Sequence, residues 1–447
     1  MTAASGARAL VGGELLVHGL AQLVDPRGPT SAPLPIVADA FVWIRDGEVA
    51  ATGPMADLPS EAAGLLAGGD DPRAFDGRGC VGLPGLVDSH THAVFGAGRE
   101  QEFERRLAGS TYAEIAAAGG GILFSVRDLR ARSEDELVEI SRPRIAEFAR
   151  FGVTTVEVKS GYGLTVEDEL KTLRAVRRLS REQDLPRLVP TFLGAHAIPE
   201  EFAADRESYV RLVIDEMLPA VVEEDLAVFC DVFCEEGAFT LGESERILER
   251  AAELGLGLKI HAEEFTPQGG AELAARLQAA SADHLVAIED PGIAALAASA
   301  TVATLLPGTS LFLKLPRHAP GRALADAGAT LALATDFNPG SSMSQNLPLM
   351  VPLACLNLGL TIAEAVRAVT QGGARAVGRP ELGSLAVGSP GDIAVFDTPD
   401  VRDLAYHYGV PRSVLVARGG RPLWREERRS SGRPSALLSC RTPRRQE

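Results

Sequence analysis

Short apolar runs rich in strand-forming residues recur through the middle of the chain, at 81–87, 154–158, 188–193, 228–233, 257–260, 282–285, 301–305 and 330–334. Runs of this length, bounded by polar or glycine-containing stretches, predict buried β-strands. Between them lie segments rich in Ala, Leu, Glu and Arg, such as 166–180, 243–254 and 270–279, which read as helices. Eight strands alternating with helices over about 300 residues predict an α/β fold, a closed (β/α)8 TIM-like barrel. A doubly wound open sheet has the same alternation, so periodicity cannot decide between them. The polar residues favour the barrel. His90, Tyr162, His196, Glu235, His261, His284 and Asp336 fall at or just after the ends of the strand-like runs. A barrel gathers those ends at one mouth, whereas an open sheet spreads them along a line.

The two ends of the chain read differently. Residues 38–44 (ADAFVWI) form a strand-like run, and Asp46-Gly47 supplies a turn before Val49-Ala50 resumes it. Near the other end, 391–397 (GDIAVFD) and 413–418 (SVLVAR) are strand-like and a Gly-Gly turn follows. Neither end has many strands, so the two are expected to build one small β-sandwich together. The expected division is 1–82 and 386–424 for the sandwich and 83–385 for the barrel. Residues 425–447, rich in Arg, Glu, Ser and Pro, are expected to form a disordered tail.

Composition narrows the possible partners. The chain has 447 residues, of which 46% are hydrophobic and 23% charged, the balance of a globular protein. Its net charge of −16 provides no cationic surface for nucleic acid. Only Lys159, Lys171, Lys259 and Lys314 are lysines; the remaining 40 cations are arginines, which reads as base composition rather than function. The five cysteines include no CxxC pair, which argues against a disulfide framework or a zinc knuckle. Cys230 and Cys234, four apart in an apolar run, read as buried small hydrophobes. No leader-like N-terminus and no long apolar run appears, so no membrane span is expected and the expected compartment is a reducing cytoplasm.

The chemistry begins with His90-Thr91-His92. Residues i and i+2 of an extended segment point the same way, so both imidazoles can face one metal ion. Alone, an HxH pair is more often two half-buried histidines bonded to backbone carbonyls. His261 at the end of the fifth run and Asp336 at the end of the eighth raise the metal reading. Three neutral imidazoles and a carboxylate suit zinc, and equally iron. A water on such an ion has its pKa lowered toward about 7, and Asp336 could accept its proton. The plainer reading of Asp336 is a helix N-cap, which does not exclude the first.

The segment 83–92 (LPGLVDSHTH) with His261, His284 and Asp336 resembles the amidohydrolase superfamily. Within it, 90–122, 157–163 (EVKSGYG), Gly194-Ala195-His196, 261–265 (HAEEF) and 334–344 (ATDFNPGSSMS) resemble the imidazolonepropionase family. The resemblance covers nearly all of 80–390. It implies a metal-dependent hydrolase on a (β/α)8 barrel with a β-sandwich built from both chain ends. The implied reaction opens the cyclic amide of 4-imidazolone-5-propanoate by hydrolysis, giving N-formimidoyl-L-glutamate in histidine degradation. Binuclear members of the superfamily carry a metal-bridging lysine at the end of the fourth strand. Here 228–237 (VFCDVFCEEG) has none, and Lys159 in the second strand is in the wrong place for that role. One ion, Zn2+ or Fe3+, held by His90, His92, His261 and Asp336, is therefore expected.

The same resemblance assigns a substrate shell. Arg99 would clamp the propanoate bidentately; without the resemblance, a surface arginine paired with Glu100 or Glu102 is the plainer reading. Tyr162, between two glycines, and His196 would contact the substrate. Glu264 would contact a ring nitrogen and carry a proton to the leaving nitrogen, its neighbour Glu263 pointing elsewhere. His284 would polarise the carbonyl, or else support Asp336 from behind. Asn338, Gly340 and Ser341 would meet the ligand's other end. Gly119-Gly120-Gly121 lacks a Walker ending and reads, within 112–122, as a lid over the mouth. His18, His318 and His407 have no comparable setting and read as structural or exposed. Two other readings stand beside this one. An aminohydrolase of a purine, pyrimidine or formimidoyl compound would keep the chemistry and change the substrate. A catalytically dead binding barrel would be expected to have lost ligands, all of which are present. Family members are often homodimers; the chain's own pattern does not decide its assembly.

Overall fold

The structure is a computed structural model and describes residues 13–29, 32–67, 69, 71–110, 114, 119–410 and 412–426. Most of the expected tail, 427–447, and much of the expected lid, 112–113 and 115–118, lie outside the described residues.

The strands, in chain order, are β1 (Leu15–Val24), β2 (Ile36–Arg45), β3 (Glu48–Pro54), β4 (Ala74–Asp76) and β5 (Val81–Pro84). The central set follows, with β6 (Leu86–Asp88), β7 (Val153–Lys159), β8 (Arg187–Ala195) and β9 (Phe229–Cys234). It continues through β10 (Gly257–Ala262), β11 (Ser281–His284), β12 (Val302–Leu305) and β13 (Leu331–Leu333). The chain ends in β14 (Ile393–Phe396), β15 (Ser413–Arg418) and β16 (Arg421–Arg425).

β6 to β13 pair in sequence order, every neighbour parallel, as a repeated strand–helix–strand path requires. The ring closes just beyond the first and last strands. There Asp336 N donates to His90 O (3.0 Å), and His92 N donates to Phe337 O (2.9 Å). Closure is thus made by the backbone of His90, His92 and Asp336, all expected to hold the metal, and of Phe337. Helices such as Val166–Ser180 and Leu241–Glu253 pack outside, with the apolar stripe Leu170, Leu173, Val176 and Leu179 of the former turned inward. No helix among the described residues is long and apolar enough to cross a membrane.

The run 81–87 is not one strand. β5 joins the sheet of the chain ends, antiparallel to β14, while β6 opens the barrel, and Gly85 carries the chain between them. Only glycine fits there: a Cβ would stand 2.1 Å from the Thr154 hydroxyl. The ends together build the small β-domain expected of them, as one continuous sheet in the order β16-β15-β14-β5-β1-β2-β3 with β4 beside β1. The two chain ends also meet through loops, since Gly391 N donates to Gly47 O (2.8 Å) and Val49 N to Ser389 O (2.9 Å). Leu15, Val42 and Ile44 from the first end share an apolar core with Ile393, Val395 and Leu415 from the second.

Candidate metal centre and active site

The interior of the barrel is polar where a barrel of this kind is ordinarily filled by branched apolar residues. Glu157, Lys159, Asp231, Lys259 and Asp283 all have fully buried side chains and come from β7, β9, β10 and β11. Above them, at the C-terminal ends of the strands, the histidines converge.

His90 and His92 project together, as their i, i+2 spacing requires, while Thr91 between them turns away to bond Glu157. His90 Nδ1 lies 2.6 Å from Asp283 Oδ2, and His261 Nδ1 lies 3.1 Å from Asp231 Oδ1. Each carboxylate takes the Nδ1–H of its ring, leaving the Nε2 lone pair free. Those lone pairs meet. His261 Nε2 is 3.4 Å from His92 Nε2, and Asp336 Oδ1 is 3.6 Å from both His90 Nε2 and His92 Nε2. His90 Nε2 is buried with no hydrogen-bond partner. Candidate ligand atoms of His90, His92 and His261 lie within 4.8 Å of one another, as do those of His90, His284 and Asp336. Burial, with Lys159 and the neighbouring rings acting in the same direction, drives His90 well below the usual histidine range; burial and neighbouring rings do the same to His92 and His284. Neutral imidazole lone pairs and a carboxylate oxygen aimed at one point repel unless a cation lies between them. The donor set therefore fits a divalent or trivalent metal ion.

Asp336 is held by more than that point. Its Oδ2 accepts from Thr309 Oγ1 (2.7 Å) and its Oδ1 from Asn338 Nδ2 (3.0 Å), and burial raises its pKa to about 6 against those bonds. It caps no helix: the next one, Leu347–Asn357, is capped by Asn346. Asn338 Oδ1 in turn accepts from Gly340 N and Ser341 N, and Asn338 Nδ2 reaches Ser341 Oγ (2.7 Å). Asn338, Gly340 and Ser341 thus form one turn around the Asp336 carboxylate.

The two adjacent glutamates are spent differently. Glu263 turns outward and accepts from Gly270 N (2.5 Å) and Ala271 N (3.1 Å), at the start of the helix Gly270–Arg276. Glu264 faces inward, 3.7 Å from His284 Nδ1, and burial, then Asp336 and Glu235, push it well above the usual carboxylate range. Glu235 fixes the segment from behind by accepting from Phe265 N (2.8 Å) and Thr266 N (3.3 Å).

Tyr162 and His196 form one wall, with the His196 ring stacked on His92 at 5.0 Å between centroids. His196 Nδ1 bonds Gly161 O (2.9 Å), and burial takes its pKa down to about 3. The loop carrying Tyr162 is tied down by Glu169, whose buried carboxylate accepts from Gly161 N, Gly163 N and Leu164 N. Arg99 is brought to the rim but not left free. Its guanidinium is paired with Glu102 and lies against Gly340, where a Cβ would stand 2.3 Å from Nη1.

Asp231, Asp283, Glu157 and Thr309 were not singled out from sequence, and Lys159 was set aside. Asp231 had a legible signal, a lone carboxylate inside the apolar run 228–233, since an acid within a buried strand requires a partner. Lys159 is where the second strand was expected to put it. Its relevance arises from the neighbours: Nζ lies 2.8 Å from Glu157 Oε1 and 2.7 Å from Asp231 Oδ2.

The chain is similar to known proteins along most of its length. The amidohydrolase family model matches residues 81–421. The imidazolonepropionase of Myxococcus xanthus is 48% identical over 388 residues, 87% of this chain and 91% of its own length. That of Geobacillus kaustophilus is 45% identical over 416 residues, 91% of this chain and 97% of its own. Among solved structures, a triazine hydrolase variant superposes with a TM-score of 0.70 at 20% identity, covering 94% of this chain and 96% of its own. An adenosine deaminase from Xanthomonas campestris with bound zinc gives 0.67 at 19%, covering 92% and 93%. These two likenesses carry the fold alone. Matched along most of its length by the family model and by relatives near half identical, the chain belongs to the amidohydrolase family, among the imidazolonepropionases.

Proposed function

We propose that the chain hydrolyses the cyclic amide C–N bond of 4-imidazolone-5-propanoate to give N-formimidoyl-L-glutamate, a step of histidine degradation. The observation that carries this reading is identity of 41–48% to imidazolonepropionases over most of the chain, supported by the convergence of His90, His92, His261, His284 and Asp336.

His90, His92, His261 and Asp336 would hold one Zn2+ or Fe3+ ion. When bound, such an ion activates water for attack and polarises the amide carbonyl. The protein's own groups do the rest. The Asp336 carboxylate, oriented by Thr309 and Asn338, takes the proton of the attacking water. Oxygen adds to the ring carbonyl carbon and the bond from that carbon to the ring nitrogen breaks. The departing nitrogen gains a proton and becomes the end of the formimidoyl group. Glu264, inward-facing and with its protonated form favoured by burial, delivers that proton and is restored by the one Asp336 took from water, and His284 beside it steadies the developing oxyanion. Tyr162 and His196 bind the ring and its carboxylate arm, and the turn 338–341 borders the opposite side. Arg99 clamps the propanoate, exchanging part of its pairing with Glu102 for the substrate.

Metal-loaded protein incubated with 4-imidazolone-5-propanoate should consume it and release N-formimidoyl-L-glutamate. A chain with its ion bound that leaves the ring intact overturns the substrate assignment.

A further inference from the structure

Two lysines are buried inside the barrel, and their ammonium groups are used differently. Lys259 donates to two main-chain carbonyls, Ser89 O (3.0 Å) and Ala376 O (3.2 Å). Lys159 donates to Glu157 Oε1 (2.8 Å) and Asp231 Oδ2 (2.7 Å), and lies 3.9 Å from Asp283 Oδ2. Each of those carboxylates leads on to the metal centre. Asp231 receives His261, Asp283 receives His90, and Glu157 Oε2 accepts from the backbone N–H of Thr91, between the paired histidines (3.2 Å).

A buried ion pair is a poor source of stability, because desolvation consumes much of the Coulomb gain. Three buried carboxylates around one ammonium require another reason. Without that ammonium they would repel each other, and Asp231 and Asp283 could rotate away from the imidazoles they hold, freeing those rings.

We propose that Lys159 is the positioning residue of the metal centre: by pinning Asp231, Asp283 and Glu157 it holds His261 and His90 with Nδ1–H directed at carboxylate and Nε2 directed at the ion. Lys159 itself has no bond to any of the four proposed ligands, and its effect passes through the carboxylates. The inference rests on the metal centre proposed above and gives a function to a residue outside that ligand set. Carboxylates that orient ligating histidines typically govern metal affinity by about 10- to 100-fold.

The test uses the full chain, freed of metal and titrated with Co2+, whose visible absorption reports the donor geometry. Affinity is read by competition with a chelator, and folding by circular dichroism. Lys159→Met should bind Co2+ about 10- to 100-fold more weakly and shift the absorption band. Asp231→Asn, which keeps the side-chain volume and cuts the link from Lys159 to His261, should act in the same direction and serves if Lys159→Met fails to fold. Lys259→Met should lower the melting temperature and leave affinity and band in place. Parental affinity and spectrum in a folded Lys159→Met or Asp231→Asn chain overturns the proposal. Equal weakening by Lys259→Met does so as well, since any interior lysine would then serve. If the parent chain takes up no Co2+, the metal centre itself fails, and this role with it.

Discussion

The barrel mouth and the sheet of the chain ends are built on opposite terms. The end sheet buries Leu15, Val42, Ile44, Val395 and Leu415 around an apolar core, with its tight turns at glycines such as Gly47 and Gly420. The mouth buries charged and imidazole groups, and Leu164, Glu263, His284, Leu285 and Asp336 there have positive φ, as Asp39 and Asp46 do in the end sheet. Such conformations cost about 1–3 kcal/mol each and persist only where the surroundings over-determine them. What differs is the use of burial. In the sheet it supplies stability, whereas in the mouth it withdraws groups from water and shifts their protonation. The two regions should therefore respond differently to substitution.

The largest effect is expected at Asp336. Asp336→Ala should cut turnover by at least about 100-fold, with the circular dichroism spectrum unchanged, measured as steady-state ring opening. Near-parental turnover would mean that the mouth is not the reactive centre. Next comes Glu264→Gln, which keeps the shape and removes the transferable proton. It should lower kcat by about 100-fold while KM changes little; a change confined to KM would make Glu264 a binding group only. In the sheet, Leu415→Ala should lower unfolding free energy by about 2–5 kcal/mol in chemical denaturation and leave kcat per folded molecule intact. A matching loss of kcat would show that the regions are coupled.

The smallest effect concerns pH. His18 in β1 is half-buried, and burial lowers its pKa below the ordinary 6.5 despite Asp76 nearby. The unfolded chain then takes a proton more readily than the folded one, so stability is full above pH 6.5 and falls as pH drops below it. His18→Gln should flatten that fall in melting temperature between pH 6.5 and 5; an unchanged slope would place the titration elsewhere.

Legibility followed the same divide. Barrel alternation and the i, i+2 histidines depend on local spacing, and both were readable. Thr309, which orients Asp336, lies in a different strand–loop unit, and no local pattern around Thr309 marks it. From sequence Lys159 is only a lysine in the wrong strand to bridge metals; its partners Asp231 and Asp283 lie 72 and 124 positions away and meet it only inside a closed ring. The run 81–87 reads as one strand from its apolar residues although Pro84-Gly85 interrupts it, and the hydroxyl of Thr154, distant in sequence, is what bars any residue but glycine at the break. Glu263 and Glu264 are chemically identical neighbours. The turn between strand and helix aimed one at a helix terminus and the other at the mouth.

By itself the sequence determined which residue types recur at strand ends and which helical faces are apolar, because both follow from the 2.0 and 3.6 periods of the backbone. It also determined the ligand types. Only the tertiary structure decided which carboxylate holds which imidazole, and hence which nitrogen is free. Tautomer and charge depend on contacts within about 3 Å between strands remote along the chain, and chain order does not encode those distances.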